Sequence, residues 1–310
     1  MTFQHRPWFR FALQLKGSVI PSVMPRTLIC GSFGIFISIL YQAGLPVSVP
    51  VLGNLIPSIV LGLMLVFRTN TAYERFWEGR RLWGSIIINV RNLARQIWVS
   101  VIEKTPEDHA EKIVTLKLLV AFAIATKLHL RQESINDELQ NLLPTHRFST
   151  LKMINNPPLE IAFWISDYLQ QQFNRNHLHI HQLTAMQQLL NQLVEALGGC
   201  ERILRTPIPL AYAIHLKQLL LIYSLALPFQ FVQSLGLWTG PVVALICFTL
   251  FGIEEIGIEI ENPFGRDPND LPLDDICRIM LRNIEDLTSL KPSSRQWLFI
   301  QDSMPIKEKR

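Results

Sequence analysis

From Thr27 to Phe67 the chain runs 41 residues without an Asp, Glu, Lys, Arg or His, and no other feature limits its fold so tightly. A helix crosses roughly 30 Å of bilayer hydrocarbon with about 20 residues. The run is therefore long enough for two crossings, and Ala43-Gly44-Leu45-Pro46 supplies a turn near its middle. It reads as a helical hairpin with spans over roughly 27–44 and 48–67. A second uncharged run, Gln218 to Ile253, covers 36 residues and breaks at Gly236 and Gly240-Pro241, which makes a second hairpin over 218–253. Four spans return every charged segment, 1–26, 68–217 and 254–310, to one side of the bilayer.

With 49% apolar and only 17% charged residues, the chain is too hydrophobic for an ordinary soluble domain. Orientation follows from the flanks. No acidic residue precedes Glu74, whereas Arg6, Arg10, Lys16 and Arg26 precede the first span and the inter-span turns carry no charge. The positive-inside rule then puts both termini and the central region in the cytoplasm. A secretory signal peptide fits poorly, because the basic segment and the apolar run are both too long and no small-residue cleavage site follows. The formal charge of +4 gathers beside the membrane, where attraction to anionic lipid accounts for it, and nucleic-acid binding is not expected. Cys30, Cys200, Cys247 and Cys277 have no paired spacing and read as small core residues.

The segment 1–26 interleaves Trp8, Phe9, Phe11, Leu13 and Leu15 with Arg6, Arg10 and Lys16, a pattern suited to the membrane interface. Beyond Phe67, Tyr73 with Trp77 and Phe76 with Arg80 keep the i,i+4 spacing, so the second span is expected to continue as one long amphipathic helix. Leu118 to Thr126 is apolar but only nine residues long between Lys117 and Lys127; it is too short to cross and reads as a buried helix of a cytosolic bundle. A Gln- and Leu-rich helix is expected from about Leu183 to Leu197, ended by Gly198-Gly199. No useful strand-like alternation occurs, so the fold is all-α: four transmembrane helices in two hairpins, plus a helical cytosolic region.

Several constellations are candidates for function. Ile59, Leu63 and Phe67 lie at i, i+4 and i+8 of the second span, with Ser58 and Gly62 on the neighbouring stripe. Such a stripe serves either ordinary packing, in which small residues four apart let helices approach, or a hydrophobic constriction that gates ions by dewetting. Glu254, Glu255, Glu259 and Glu261 crowd one membrane exit while Arg68, Arg75, Arg80 and Arg81 crowd another. They either pair with one another or face a water-filled vestibule and set its potential. His177, His179 and His181 alternate with period two, which a helix would point to different faces, so they read as solvated or packing residues rather than a metal site. Asp267, Asp270 and Asp274 are candidate calcium ligands without the spacing of an EF-hand loop. No zinc-protease, phosphate-loop, nucleophile-elbow or cofactor signature is present. No cofactor is expected, and no enzyme chemistry. Neither uncharged run holds an intramembrane acid or base, which disfavours a coupled transporter.

Three blocks carry a family likeness: F-R-T-N-T-A-Y-E-R-F-W-E-G-R-R-L-W-G at 67–84, G-G-C-E-R-I-L-R-T-P-I-P-L-A-Y at 198–212, and E-N-P-F-G at 261–265 followed by N-D-L-P-L-D at 269–274. With L-K-G-S-V at 15–19 they span most of the chain. The sequence resembles the bestrophins, in particular their prokaryotic branch. That resemblance implies a homopentameric ion channel in a bacterial plasma membrane, with one pore on the fivefold axis lined by the second helix. It implies that the hydrophobic neck falls on Ile59, Leu63 and Phe67, and that a second, cytosolic aperture falls at Ile180 or His181. The animal members follow N-P-F-G with an unbroken acidic run that helps clasp calcium. This chain has Arg266, Asp267, Pro268, Asn269 and Asp270 there, so calcium gating of the animal kind is not expected.

The expected function is passive passage of small monovalent ions through a pore built from copies of this chain in the lipid bilayer. Chloride or another small anion is the first choice. A monovalent-cation channel of the same fold is the alternative, favoured if the glutamates after the fourth span face the pore. A membrane-anchored binding or scaffold protein is the reading from another class.

Overall fold

The computed structural model describes Trp8, residues 13–49 and residues 55–290. Most of the first dozen residues of the expected interfacial segment, positions 50–54 of the expected second span and the tail beyond 290 lie outside the described residues. The described elements are α1 (Ile20–Gln42), α2 (Leu55–Ser100), α3 (Pro106–Leu130), α4 (Asp137–Gln140), α5 (Thr145–Leu151), α6 (Pro157–Asn174), α7 (Ile180–Arg205), α8 (Leu210–Leu235), a short 3-10 turn at Gly236–Trp238, α9 (Thr239–Glu261) and α10 (Leu273–Ser289). No strand occurs among the described residues.

The chain divides into two compact units. The first comprises 1–78 and 205–270, the second 79–204 and 271–310. Helix α2 is continuous from Leu55 to Ser100, as the amphipathic spacing beyond Phe67 led one to expect, so its first part belongs to one unit and its remainder to the other.

In the first unit α1, α8 and α9 pack on one another around Val23, Cys30, Leu216, Leu220, Leu227, Val243, Cys247 and Phe251, with Leu61 and Leu65 of α2 in the same cluster. The α1–α9 crossing is set by missing side chains. A Cβ added to Gly34 would lie 2.9 Å from Gly240 Cα, and one added to Gly31 would lie 3.0 Å from Ala244 Cβ. The two backbones meet at a distance only glycine permits, the usual device where lipid supplies no hydrophobic drive between helices. The α8–α9 connection needs Gly236 for a different reason. Its φ of +52° is favourable without a Cβ, and its carbonyl accepts the Ser38 hydroxyl of α1 at 2.9 Å. The helices also overrun the uncharged runs: α1 begins before Thr27, α8 before Gln218, and α9 continues past Ile253 to Glu261. Charge marks where hydrocarbon ends, whereas a helix ends only where its hydrogen bonds stop.

The second unit is organised on α3, which packs against α4, α6 and α10. Thr105 and Asp108 form a reciprocal capping box at its start. The unbroken segment from Leu118 to Ala123 is fully buried, each large apolar side chain contributing about 1.5–3 kcal/mol relative to exposure. Two lysines are buried with it. The Lys112 ammonium donates to Val101 O at 2.7 Å and sits 2.9 Å from Glu103 Oε1; Lys127 lies 2.6 Å from Glu138 and 2.8 Å from Asp274. Burial alone would depress the Lys127 pKa, but the hydrogen bonds its ammonium donates to Asp274 and Glu138 outweigh it and hold it above its ordinary value.

One sequence expectation is corrected here. Gly198 and Gly199 do not end their helix, since α7 runs through them to Arg205. A Cβ on Gly199 would lie 2.8 Å from Leu82 Cδ2, so this glycine serves a close approach to the α2 side chain rather than a C-cap.

Candidate ion pore

Helix α2 assigns its residues to two faces within the first unit. Leu61, Leu65, Arg68 and Ala72 are all buried, spaced four, three and four residues apart as a 3.6-residue period requires. The other face stays open: Ile59, Leu63 and Phe67 are 53%, 52% and 62% exposed, with Ile56, Val60 and Val66 beside them. At 1.5 Å per residue the stripe from Ile59 to Phe67 runs about 12 Å along the axis. Gly62, on the neighbouring stripe, has space around it, with no atom within 4 Å of a Cβ built there. Tyr212 of α8 fixes the helix from behind, its hydroxyl donating to Met64 O at 2.6 Å.

Arg68 follows Phe67 but turns the opposite way. Its guanidinium, 4% exposed, places Nη1 3.7 Å from Glu254 Oε1 and Nη2 3.7 Å from Glu261 Oε2; the Glu254 side chain is 3% exposed. Gly257, between the two glutamates on α9, leaves room for the arginine, since its Cβ position would be 3.7 Å from Arg68 Nε. These separations exceed hydrogen-bond length, and Arg68 Nε, Arg68 Nη1 and Glu254 Oε1 have no hydrogen-bond partner among the described residues. The attraction is Coulombic between buried groups, where it is least screened. Sequence left Arg68 and Glu254 either pairing with opposite charges or facing a water-filled vestibule; both are buried inside the unit, one beside the other, because position 68 falls on the inward stripe with Leu61 and Leu65.

The remaining carboxylates are also partnered. Glu261 accepts the Ile208 N–H at 3.2 Å, and its carbonyl accepts Arg75 Nε at 3.1 Å while Arg75 Nη1 reaches Thr206 O. Glu255 lies 3.2 Å from Arg26. Glu259 accepts the Asn269 amide at 2.6 Å.

The calcium candidates divide. Asp267 and Asp270 close a turn on themselves, the Asp267 N–H donating to Asp270 Oδ2 at 2.7 Å. Asp274 belongs to the second unit and is bound by cations, Lys127 at 2.8 Å and Arg131 at 3.0 Å. Burial would raise its pKa, yet the hydrogen bonds from Lys127 and Arg131 dominate and lower it. A carboxylate so occupied is not arranged as a calcium ligand. No cluster of three His, Cys, Asp or Glu able to hold a metal occurs among the described residues.

The aperture candidates Ile180 and His181 open α7 in the second unit, both exposed, with the His181 ring stacked on His179 at 5.3 Å. His177 stands apart, buried, with Nδ1 3.0 Å from Gln172 Oε1 and 3.7 Å from Asp108. The Lys104 and Thr105 N–H groups that Asp108 accepts hold its carboxyl below the ordinary range against the cost of burial, and His177 adds to the shift.

With this geometry in place, comparison with known proteins decides the family. The sequence profile described as Bacterial/Fungal Bestrophin protein matches residues 1–286. The chain belongs to that family. A voltage-dependent anion channel-forming protein of Nostoc is 65% identical over 295 residues, covering 95% of this chain and 96% of the relative. A protein of the same description from Synechocystis is 54% identical over 296 residues, covering 94% and 96%. Among solved structures, a bacterial bestrophin homologue from Klebsiella pneumoniae superposes with a TM-score of 0.78 at 31% identity, covering 87% of this chain and all of that one. The family and these names indicate an ion channel rather than an enzyme, and a membrane protein, in keeping with the long apolar helices.

Within this bestrophin, sequence reasoning passed over Tyr212 and Asn269. Both sit in the quoted family blocks, but a lone tyrosine or asparagine carries no periodic signal, and only the fold brings them to Met64 and Glu259. The Arg26–Glu255 pair spans 229 residues of sequence and was equally invisible, although both residues flank an uncharged run.

Proposed function

We propose that this bestrophin is a passive channel for small anions, chloride first, in which copies of the chain surround a pore lined by the open face of α2. Ile59, Leu63 and Phe67 form the neck, and five copies complete the ring, as the family resemblance implies. The single observation that carries the reading is the division of α2: one face is committed to the core of its own unit, and the opposite face, at the same depth, is a continuous apolar stripe. Bulky apolar rings of this kind admit ions only when wetted. Arg68, shared between Glu254 and Glu261, offsets one of their two negative charges and holds Glu254 inside the unit, which lessens the negative charge beside the proposed neck and favours anions. Arg6, Arg10, Lys16 and Arg26 before the first span favour both termini in the cytoplasm, and the family resemblance favours a bacterial plasma membrane. Ile180 or His181 forms the second narrowing, at the cytosolic exit.

The test is a pair of substitutions on one helix, read in planar bilayers with purified protein. Leu63→Ala widens the neck and raises single-channel conductance, while Leu61→Ala, two residues away on the core face, lowers the yield of folded protein without changing conductance per channel. Unchanged current in Leu63→Ala would remove that stripe from the pore.

A further inference from the structure

The two uncharged runs have edges, and three of these edges meet. Arg26 is the last charge before the first run, Lys217 the last before the second, and Glu254 the first after it. All three line one cavity of about 340 Å³ in the first unit, whose walls are Ile29, Cys30, Leu220, Leu221 and Phe251 from α1, α8 and α9. Its lining changes from charged to apolar over the boundary at which the sequence passes from headgroup to hydrocarbon composition.

The charges around it are unequal in their commitments. Glu254 is held by Arg68 inside the unit, and Arg26, half exposed, leans on Glu255. Lys217 is exposed, and no carboxylate lies within 4 Å of its ammonium among the described ion pairs. An open lysine beside a half-engaged arginine, above an apolar slot between membrane helices, is complementary to a phosphate ester carried on acyl chains. Basic pockets between spans take such headgroups. A purely apolar occupant would leave Lys217 without a counter-charge, and a free inorganic anion would leave Ile29, Leu221 and Phe251 without apolar cover.

We propose that this cavity is a binding site for an anionic phospholipid, its phosphate between Lys217 and Arg26 and the start of an acyl chain against Ile29, Leu221 and Phe251. The site would bind lipid whether or not the chain conducts.

The test uses the full-length protein, delipidated in detergent and titrated with phosphatidylglycerol or phosphatidylcholine of matched chains, with retained lipid read by native mass spectrometry. Wild type retains phosphatidylglycerol in preference to phosphatidylcholine. Lys217→Gln lowers phosphatidylglycerol affinity about fivefold, the value of roughly one surface cation. Leu221→Trp, at an exposed position that tolerates bulk, fills the slot and weakens both lipids. Soluble glycerol phosphate does not displace the bound lipid; displacement at equal concentration would mean that a free phosphate is the ligand and would overturn the proposal. Equal retention of the two lipids by wild type, or unchanged retention in both variants, would overturn it as well. So would efficient disulfide cross-linking of Leu221→Cys between copies in liposomes, since a second chain would then cover the cavity.

Discussion

The first part of α2 and the whole of α3 look alike by hydropathy and differ completely in what surrounds them. Four stretches have the length and composition of a membrane span: Ile20–Gln42, Ile56–Ser100, Pro106–Leu130 and Leu210–Glu261, the last divided by the turn at Gly236–Trp238. The most apolar window of Pro106–Leu130 is 78% buried within the protein, against 22% for that of the α2 stretch. Charge explains the difference. Helix α3 carries Lys112, Lys117 and Lys127, and Lys112 and Lys127 are satisfied inside the second unit by Glu103, Glu138 and Asp274. A helix that brings its own buried ion pairs is provided for within a protein interior, whereas an uncharged one with a bare face requires lipid, a neighbouring copy or a pore.

The strongest way to break this comparison is to disturb packing where each unit is tightest. Gly34→Val forces a side chain into the α1–α9 contact, and overpacking of this kind costs about 1–3 kcal/mol or more; it is expected to abolish recovery of folded protein from detergent, as measured by size-exclusion yield. In the second unit Leu119→Ala leaves a cavity worth about 2–5 kcal/mol and lowers the thermal midpoint, while Leu63→Ala on the open face of α2 leaves that midpoint nearly unchanged. If Leu63→Ala destabilised as strongly as Leu119→Ala, the two faces of α2 would not be distinct.

Acid and base sharpen the contrast. Asp274 and Asp108 have pKa values below 3.8, so their stabilisation is present above that value and is lost as pH falls through the lower folded values. Lys127 lies above 10.5, so its contribution is complete below 10.5 and is lost only as pH rises past the folded value. These three groups therefore give the second unit an acid limb as pH falls below 3.8 and a base limb as it rises past 10.5, checked by pH-dependent melting, with Asp274→Asn flattening the acid limb. The smallest effect is expected from Gly62→Ala, where nothing lies within 4 Å. Better helix propensity there is worth up to about 1 kcal/mol, and a loss of stability would place an unseen neighbour on that stripe.

Much of this was legible in the residues. Two uncharged runs broken by glycine and proline located both hairpins, and the i,i+4 spacing beyond Phe67 foretold the unbroken α2. The inward turn of Arg68 was not legible. It depends on which of two equally apolar stripes of α2 meets α8 and α9, and periodicity gives the stripes without saying which is buried. Gly198-Gly199 misled for a related reason: glycine marks both helix ends and close approaches, and only the position of Leu82 distinguishes them. Asp274 read as an oxygen donor for calcium because its cationic partners, Lys127 and Arg131, stand more than 140 residues away in sequence.

The central claim is that the apolar face of α2 lines an anion pathway. The most direct measurement is the reversal potential of purified protein in a planar bilayer under a steep potassium chloride gradient. A potential near the chloride equilibrium value, retained in Leu63→Ala with larger currents, is the predicted result. A potential near the potassium value would contradict it and give the pathway to cations, and a bilayer that stays silent with folded protein present would leave the chain no channel at all.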